Sequence, residues 1–348
     1  RVVEFDAEPE IEVSWMTVEE GHDDQYALDV LSMILGGLFS SRFDETIVQK
    51  DRIAASAGTG HATMKYAGYF NASGTRRGDH TVAELEAAIE REIARVKKDG
   101  VTAAELERAK TADEAGRVRR LKSNMGQAYR IGNAAFLTGG VEYLEEYERR
   151  IDAVTAEQVK EVAIEYLKPE RKNVVEVRKV EDAASAGRGR GSGVQHQRGG
   201  SVGPRGRDHS SGFKAAMKMI QAARPIELKV PEVGKDVQRV ELDSGITVFI
   251  KEDHSAPSID MGLAWLGGHN TLPVEKLAPF ELASELLDEG GTESLSPSEL
   301  QARKDELGMS FGLWLGSTTS GASFWSLKRN FSQAFDLALE ILMKPRLD

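Results

Sequence analysis

Residues Gly187–Gly212 read GRGRGSGVQHQRGGSVGPRGRDHSSG, and this stretch separates the chain into two parts. The segment is rich in Gly, Arg, Ser and Gln and contains almost no apolar side chain. Such a composition cannot bury enough surface to offset the conformational entropy that ordering would cost. We therefore predict a flexible linker over residues 183–224, with a folded part on either side of it.

The composition favours two ordinary globular domains. The chain has 348 residues, of which 40% are apolar, and this is enough for packed cores. No run approaches the roughly 18–20 apolar residues of a membrane span, so we predict no membrane partner. The chain contains no Cys. This excludes disulfides and thiolate metal sites, but it leaves the cellular compartment undecided between cytoplasm and periplasm or secretion.

The charge distribution argues against nucleic acid as a partner. The net charge is −11, although residues 183–224 carry eight Lys or Arg and a single acid. Phosphate binding needs Lys and Arg clustered on a folded face, and the folded parts are acidic. The Arg-Gly pairs of the linker resemble RNA-binding segments, but a solvated linker is the preferred interpretation.

The part before the linker predicts an α+β fold. Ile11–Thr17 alternates apolar and polar residues, which is typical of a half-buried strand. We expect two further strands, Ile53–Gly58 and Thr63–Ser73, separated by a turn at Gly58–Gly60. Capping boxes open three helices, and a strand closes the part at Asn173–Arg178. This order predicts an antiparallel sheet with helices on one face. The boxes begin at Thr81, Thr102 and Thr155.

The part after the linker repeats this pattern over a shorter length. Val237–Leu242 and Ile246–Glu252 flank Asp243-Ser244-Gly245, which indicates a hairpin. Ser258–Leu266 reads as a third strand, and Ser296 opens a helix with Pro at its first position. We predict a second, related but incomplete α+β domain.

Several segments resemble motifs of the pitrilysin/insulinase family of zinc metallopeptidases. Leu35–Phe43 resembles the family's glycine-rich corner "LGGG…SSRL", and Gly100–Lys110 resembles its helix start "GVTxxELxxAK". Ile151–Val159 is similar to "IxxVTxxDV", and Leu242–His254, followed by Gly262–His269, is similar to an opening hairpin of the family. The order and spacing of these motifs make the resemblance specific. It covers nearly all of the chain except the linker.

The resemblance implies a domain plan. Family members have two halves, each with two related α+β domains of the LuxS/MPP-like metallopeptidase fold. Residues 1–182 then match the carboxy-terminal-type domain of the first half, and residues 183–224 match the linker between halves. Residues 225–348 match the start of the second half, an incomplete amino-terminal-type domain. The first domain of the first half, which usually carries the zinc motif, is expected to lie outside this chain.

The family's zinc motif is degenerate in this chain. In H-x-x-E-H, two His bind zinc and the Glu polarises the attacking water. The matching positions here are Glu281, Ser284 and Glu285, so we predict no metal ligand and no catalytic residue. The two acids are interpreted as solvated, with a weak cation site as the alternative. The seven His show no i,i+4 pair, and each is interpreted as a surface histidine.

A second family feature is an Arg and a Tyr, seven residues apart, which grip the substrate near the zinc. The matching positions are Val48 and Ala55, so the substrate-binding residues of this chain stay unknown. The resemblance implies zinc-assisted peptide hydrolysis by the parent protein, with zinc in the missing amino-terminal catalytic domain. That domain and a peptide substrate are the expected partners, and a dimer is left open.

This chain alone is therefore expected to be inactive. The alternative reading of the parent is a pseudo-peptidase that serves as a scaffold or partner-binding subunit. A third reading is a freestanding peptide-binding module. A zinc motif in the sequence preceding Arg1 would favour the enzyme over these alternatives.

Overall fold

The computed structural model describes residues 1–5, 8–179, 218 and 230–346. The chain divides into two compact units, one formed by Arg1–Glu181 with Ser255–Asp348 and the other by Asp182–His254. The linker expected over residues 183–224 falls almost entirely outside the described residues. That linker and the boundaries of the two domains therefore stay predictions.

The larger unit contains a five-stranded sheet in the order β1-β5-β2-β4-β3. β1 pairs with β5 in parallel, and the other neighbouring strands are antiparallel. The α+β fold class is confirmed. The strands are β1 (Val2–Phe5), β2 (Glu10–Thr17), β3 (Ala54–Ala62), β4 (Gly68–Arg76) and β5 (Asn173–Lys179).

Six α-helices connect these strands. The three predicted capping boxes are confirmed, because the Thr81, Thr102 and Thr155 side chains each accept a hydrogen bond from the backbone three residues later. Two π-helical segments, Met33–Gly37 and Asp44–Lys50, lie between the first helix and β3. The helices are α1 (Gln25–Ser32), α2 (Val82–Asp99), α3 (Ala103–Leu121), α4 (Asn124–Thr138), α5 (Tyr143–Ala153) and α6 (Ala156–Tyr166).

The turn expected at Gly58–Gly60 is wrong, since both glycines lie within β3. Their role is close approach rather than reversal of the chain. A Cβ on Gly36, at the end of the first π-helical segment, would lie only 2.8 Å from the Cα of Gly58. The glycines suggested a turn because they lack side chains. The same lack of a side chain allows the end of the first π-helical segment to pack directly against β3.

The main core lies on one face of the sheet. Ile11, Val13 and Trp15 of β2 are buried, whereas Glu10, Glu12 and Met16 between and beside them are exposed. The buried side chains pack against α1, α2 and α6. The Trp15 indole also donates a hydrogen bond to the Lys168 carbonyl at 3.0 Å.

Residues 255–346 add a three-stranded antiparallel sheet to the same unit, in the order β8-β10-β9. Its core contains Phe311, Phe324, Leu337 and Ile341. A smaller apolar cluster joins α3 to β10. The elements are β8 (Ser258–Leu266), α7 (Leu277–Glu289), α8 (Pro297–Leu307), β9 (Met309–Leu315), β10 (Thr319–Leu327) and α9 (Phe331–Met343).

The smaller unit contains the predicted hairpin, which is confirmed. β6 (Gln238–Glu241) pairs with β7 (Thr247–Ile250), and Gly245 in the turn adopts a φ of 83°. This left-handed conformation favours glycine. Among all described residues, no helix combines the length and apolar character needed to cross a membrane.

Candidate functional site

The positions that match the zinc motif lie on α7. The backbone of Glu281, Ser284 and Glu285 is helical, but their side chains lie outside what the structure describes. Whether the two acids hold a cation therefore stays a prediction. Within the described part of the chain, no group of three or more His, Asp or Glu could hold a metal ion. The described residues do not provide a donor set that fits zinc.

The two positions that match the family's Arg and Tyr are Val48, which packs against the core, and Ala55, which lies in strand β3. Val48, in the second π-helical segment, is partly buried against the main core. Ala55 is exposed on β3, where the register with β4 shifts between Ala54 and Ser56. Just before this strand, Arg52 has a φ of 56°, a left-handed conformation that is unusual for a residue other than glycine.

The uncovered face of the five-stranded sheet is the candidate functional surface. On β2 this face presents Glu10, Glu12 and Met16, and Met16 is 64% exposed. Tyr69 of β4 lies directly opposite Met16, and Val175 of β5 lies opposite Glu12. The other face of these strands carries the main core. The central strands are therefore open to a ligand on one side only.

The open face carries polar and apolar side chains side by side. Polar side chains of β2 and β4 form cross-strand pairs, Ser14 with Asn71 and Glu12 with Ser73. These groups can donate and accept hydrogen bonds, while Met16 and Tyr69 offer apolar contact. The nearby Thr17 hydroxyl is hydrogen-bonded to His61.

A buried polar network ties the sheet to α1. The His61 Nδ1 lies 2.7 Å from Asp29 Oδ1, and Nε2 lies 3.0 Å from the Thr17 hydroxyl. Tyr147 donates a second hydrogen bond to Asp29 at 2.9 Å. Burial, and then the Asp29 charge, hold the pKa of Tyr147 well above its usual value.

The interpretation of every histidine as a surface residue is wrong for His61, whose side chain is fully buried. Asp29 can only accept, so His61 Nδ1 donates to it, and in the neutral imidazole Nε2 accepts from the Thr17 hydroxyl. The order of hydroxyl, imidazole and carboxylate is that of a proton relay. We assign it a structural role, since each of the three groups fixes a different element: β2, β3 and α1.

The Ser40-Ser41-Arg42 corner is connected to two other parts of the structure, the start of α3 and α8. The Arg42 guanidinium pairs with Glu105 at 2.6 and 3.0 Å and with the Gly100 carbonyl at 3.0 Å. Glu105 also accepts from Thr102 in the capping box. Burial alone would raise the pKa of Glu105, but the hydrogen bonds from Arg42 and Thr102 lower it to about 2. The corner thereby anchors the start of α3.

The second contact of this corner reaches α8. Ser40 donates to Asp305 from both its backbone nitrogen and its hydroxyl. Burial raises the pKa of Asp305, and the Ser40 hydrogen bonds offset this only in part. Sequence reasoning missed Asp305, because a partly buried acid in a polar helix has the same sequence pattern as a solvated one.

Comparisons with known proteins agree with the resemblance seen in the sequence. Residues 1–112 match the family model "Peptidase M16 inactive domain". The "Uncharacterized zinc protease YmxG" of Bacillus subtilis (strain 168) is 30% identical over 146 residues. This match covers 42% of the chain and 36% of the relative, so the chain spans little more than a third of that relative's length.

Solved structures of similar proteins cover about half of the chain. A protease from Helicobacter pylori is 23% identical with a TM-score of 0.48, covering 51% of this chain and 43% of that one. A peptidase M16 inactive domain from Pseudomonas fluorescens is also 23% identical, with a TM-score of 0.46 and the same two coverages.

Proposed function

Because residues 1–112 belong to the family of the peptidase M16 inactive domain, we propose that this chain is a non-catalytic part of a zinc-dependent metalloendopeptidase. Its similarity to a zinc protease supports this proposal. On this proposal, the zinc and the water-activating Glu belong to a domain outside the chain.

The open face of the five-stranded sheet is the main support for a non-catalytic role, because it offers a surface that can bind a ligand. We assign it to the wall of a closed chamber, where it contacts the peptide during hydrolysis. The exposed Met16 and Tyr69 are the apolar contacts in this assignment, and Ser14 and Asn71 are hydrogen-bonding groups beside them. The contact residues follow one another along β2 and β4, so this surface favours a peptide in an extended conformation that lies along the strands.

The wall assignment is tested in the complete protein. Tyr69→Ala and Met16→Ala should raise KM for a peptide several-fold and leave zinc content unchanged, since neither residue is a metal ligand in this proposal. Ile164→Ser on α6 is the control, because Ile164 is exposed on a helix that packs on the opposite face. Unchanged KM in both sheet variants would remove the wall assignment.

The non-catalytic assignment has its own test. The purified chain should leave a quenched-fluorescence peptide library uncut, with or without added zinc. Chelator-sensitive cleavage that stays with the chain through purification, and is lost in Glu281→Ala or Glu285→Ala, would overturn it.

A pseudo-peptidase scaffold is the second candidate function. The observation in its favour is that no His occupies the three positions matching the zinc motif, Glu281, Ser284 and Glu285. Zinc analysis of the complete protein distinguishes the two. One zinc per chain with hydrolysis supports the enzyme, and absence of both supports the scaffold.

A further inference from the structure

The open face of the five-stranded sheet carries two carboxylates without a counter-charge. Glu10 and Glu12 of β2 are both exposed, and neither side chain has an ion-pair or hydrogen-bond partner within the part of the chain that the structure describes. Their cross-strand neighbours on this face are all uncharged: Val177 and Thr75 beside Glu10, and Val175 and Ser73 beside Glu12. The open face therefore presents negative charge that is available to a ligand.

Acids on the covered side of the same sheet are arranged differently. Glu176 of β5, which lies opposite the buried Ile11, forms an ion pair with Arg178 at 2.7 Å. Glu86, on the helix α2 that covers this side, forms an ion pair with Lys172 at 2.7 Å. These carboxylates have a cation of the same chain beside them, whereas Glu10 and Glu12 face solvent.

Glu10 and Glu12 begin a regular row of side chains along β2. Alternate residues of a strand point to the same face, and each residue rises about 3.3 Å. Roughly 7 Å therefore separates Glu10 from Glu12 along the strand, and Met16 follows roughly 13 Å beyond Glu12. Ser14 lies between Glu12 and Met16. The row thus offers two negative charges, one hydroxyl group and one apolar side chain in that order.

An extended peptide has the same spacing, so its alternate side chains can meet this row one by one. Lys and Arg complement the two carboxylates by charge, and an aliphatic or aromatic side chain complements Met16 and Tyr69. We infer that the open face binds cationic peptides in preference to neutral ones. The matching peptide has two Lys or Arg at alternate positions and an apolar residue four positions beyond the nearer one.

The size of this preference follows from two exposed ion pairs. It rests on the proposed function of the open face as the wall that contacts the peptide, and it adds the charge of that peptide. One exposed pair changes affinity by about 1.5- to 5-fold, so two pairs should favour a cationic peptide roughly 2- to 20-fold. Because the Debye length is only about 8 Å at 0.15 M ionic strength, the preference should shrink as salt is added.

Fluorescence anisotropy of labelled peptides measures the preference on the purified chain. The cationic probe is an extended Ser/Thr-rich peptide with two lysines at alternate positions and a phenylalanine four residues beyond the second lysine. The neutral probe has glutamine in place of both lysines. At low salt the cationic probe should bind roughly 2- to 20-fold more tightly than the neutral probe. Equal affinities for the two probes would overturn the inference.

Two matched double variants separate the two carboxylates from the net charge of −11, which attracts any cation. Glu10→Gln with Glu12→Gln should remove most of the difference between the probes and leave Tm unchanged, because both side chains are exposed. Glu157→Gln with Glu161→Gln is the control, since it removes the same charge from exposed positions of α6, on the covered side. The control should keep the preference. An equal loss in both double variants would assign the preference to net charge and overturn the inference.

Kinetics of the complete protein distinguish this inference from the wall assignment. The Glu10→Gln, Glu12→Gln double variant should raise KM for the cationic peptide several-fold more than KM for the neutral peptide. If this double variant changes neither KM while Tyr69→Ala raises both, the charge preference is overturned and the wall assignment stands. If KM for both peptides stays unchanged in all of these variants, both are overturned.

Discussion

Asp305 accepts both hydrogen bonds that Ser40 offers, at 2.6 Å from the hydroxyl and 3.2 Å from the backbone nitrogen. The two residues are 265 positions apart in the sequence. Ser40 belongs to the corner that resembles the family motif, and Asp305 belongs to α8. The motif therefore holds two distant segments of one compact unit together.

Removing the Ser40 hydroxyl should lower the free energy of unfolding by about 1.5–3 kcal/mol, the usual contribution of a hydrogen bond to a charged group. Asp305→Ala should act through the same contact, so the double variant should lose less than the sum of the single variants. Urea unfolding of the four proteins measures this coupling. Ser310→Ala on the exposed side of β9 is the control. Additive losses would contradict the contact.

Asp305 should make stability fall as the pH rises. Burial raises its pKa, so the folded state holds the proton more tightly than the unfolded state does. Its contribution is therefore present below the unfolded pKa and is lost as the pH rises through the folded pKa. Asp305→Asn should gain stability relative to wild type as the pH rises from about 3 to 7. A constant difference across this range would contradict the raised pKa.

Glu105 should have the opposite pH dependence. Its pKa falls from 4.5 to about 2 in the folded state, so its contribution is present above 4.5 and is lost as the pH falls towards 2. At pH 7, Glu105→Gln should lower the free energy of unfolding by up to about 3 kcal/mol, and the loss should shrink in acid. Glu107→Gln, exposed on the same helix, is the control. A loss that is independent of pH would be inconsistent with this pairing.

Arg52→Gly should stabilise the protein. The left-handed backbone at Arg52 costs roughly 1–2 kcal/mol for a residue with a Cβ, and glycine avoids most of this cost. We expect a gain of about 1 kcal/mol in thermal or urea unfolding, after the larger entropy of glycine in the unfolded chain is included. Gly78→Ala is the converse control, since Gly78 has a φ of 58° and open space around its Cβ. It should lose about as much as Arg52→Gly gains.

Features that depend on neighbouring residues were predicted correctly from the sequence. The boxes at Thr81, Thr102 and Thr155 need only four residues each, and the hairpin around Gly245 needs only its turn. The burial of alternate residues in β2 likewise follows from its own pattern. Local chemistry decides these elements, so a single sequence is enough.

Features that depend on distant partners could not be predicted. Nothing within Pro297–Leu307 shows that Asp305 meets Ser40, and nothing around His61 shows that it meets Asp29 and Thr17. The turn predicted at Gly58 is wrong for the same reason, because its close neighbour Gly36 lies in another element. The candidate surface on the sheet also needed the strand order, which brings β4 and β5 to either side of β2.

The one-sided burial of β2 has a consequence for how this sequence can change over generations. Substitutions at Ile11, Val13 or Trp15 open a cavity in the core, and most should be lost from a population. Glu10, Glu12 and Met16 meet solvent instead, so many residue types should be accepted there. In a saturation library of β2, tolerance to substitution should therefore alternate along the strand, high at the exposed positions and low at the buried ones. The open face can diversify, and with it the ligand preference, while the fold beneath it stays fixed.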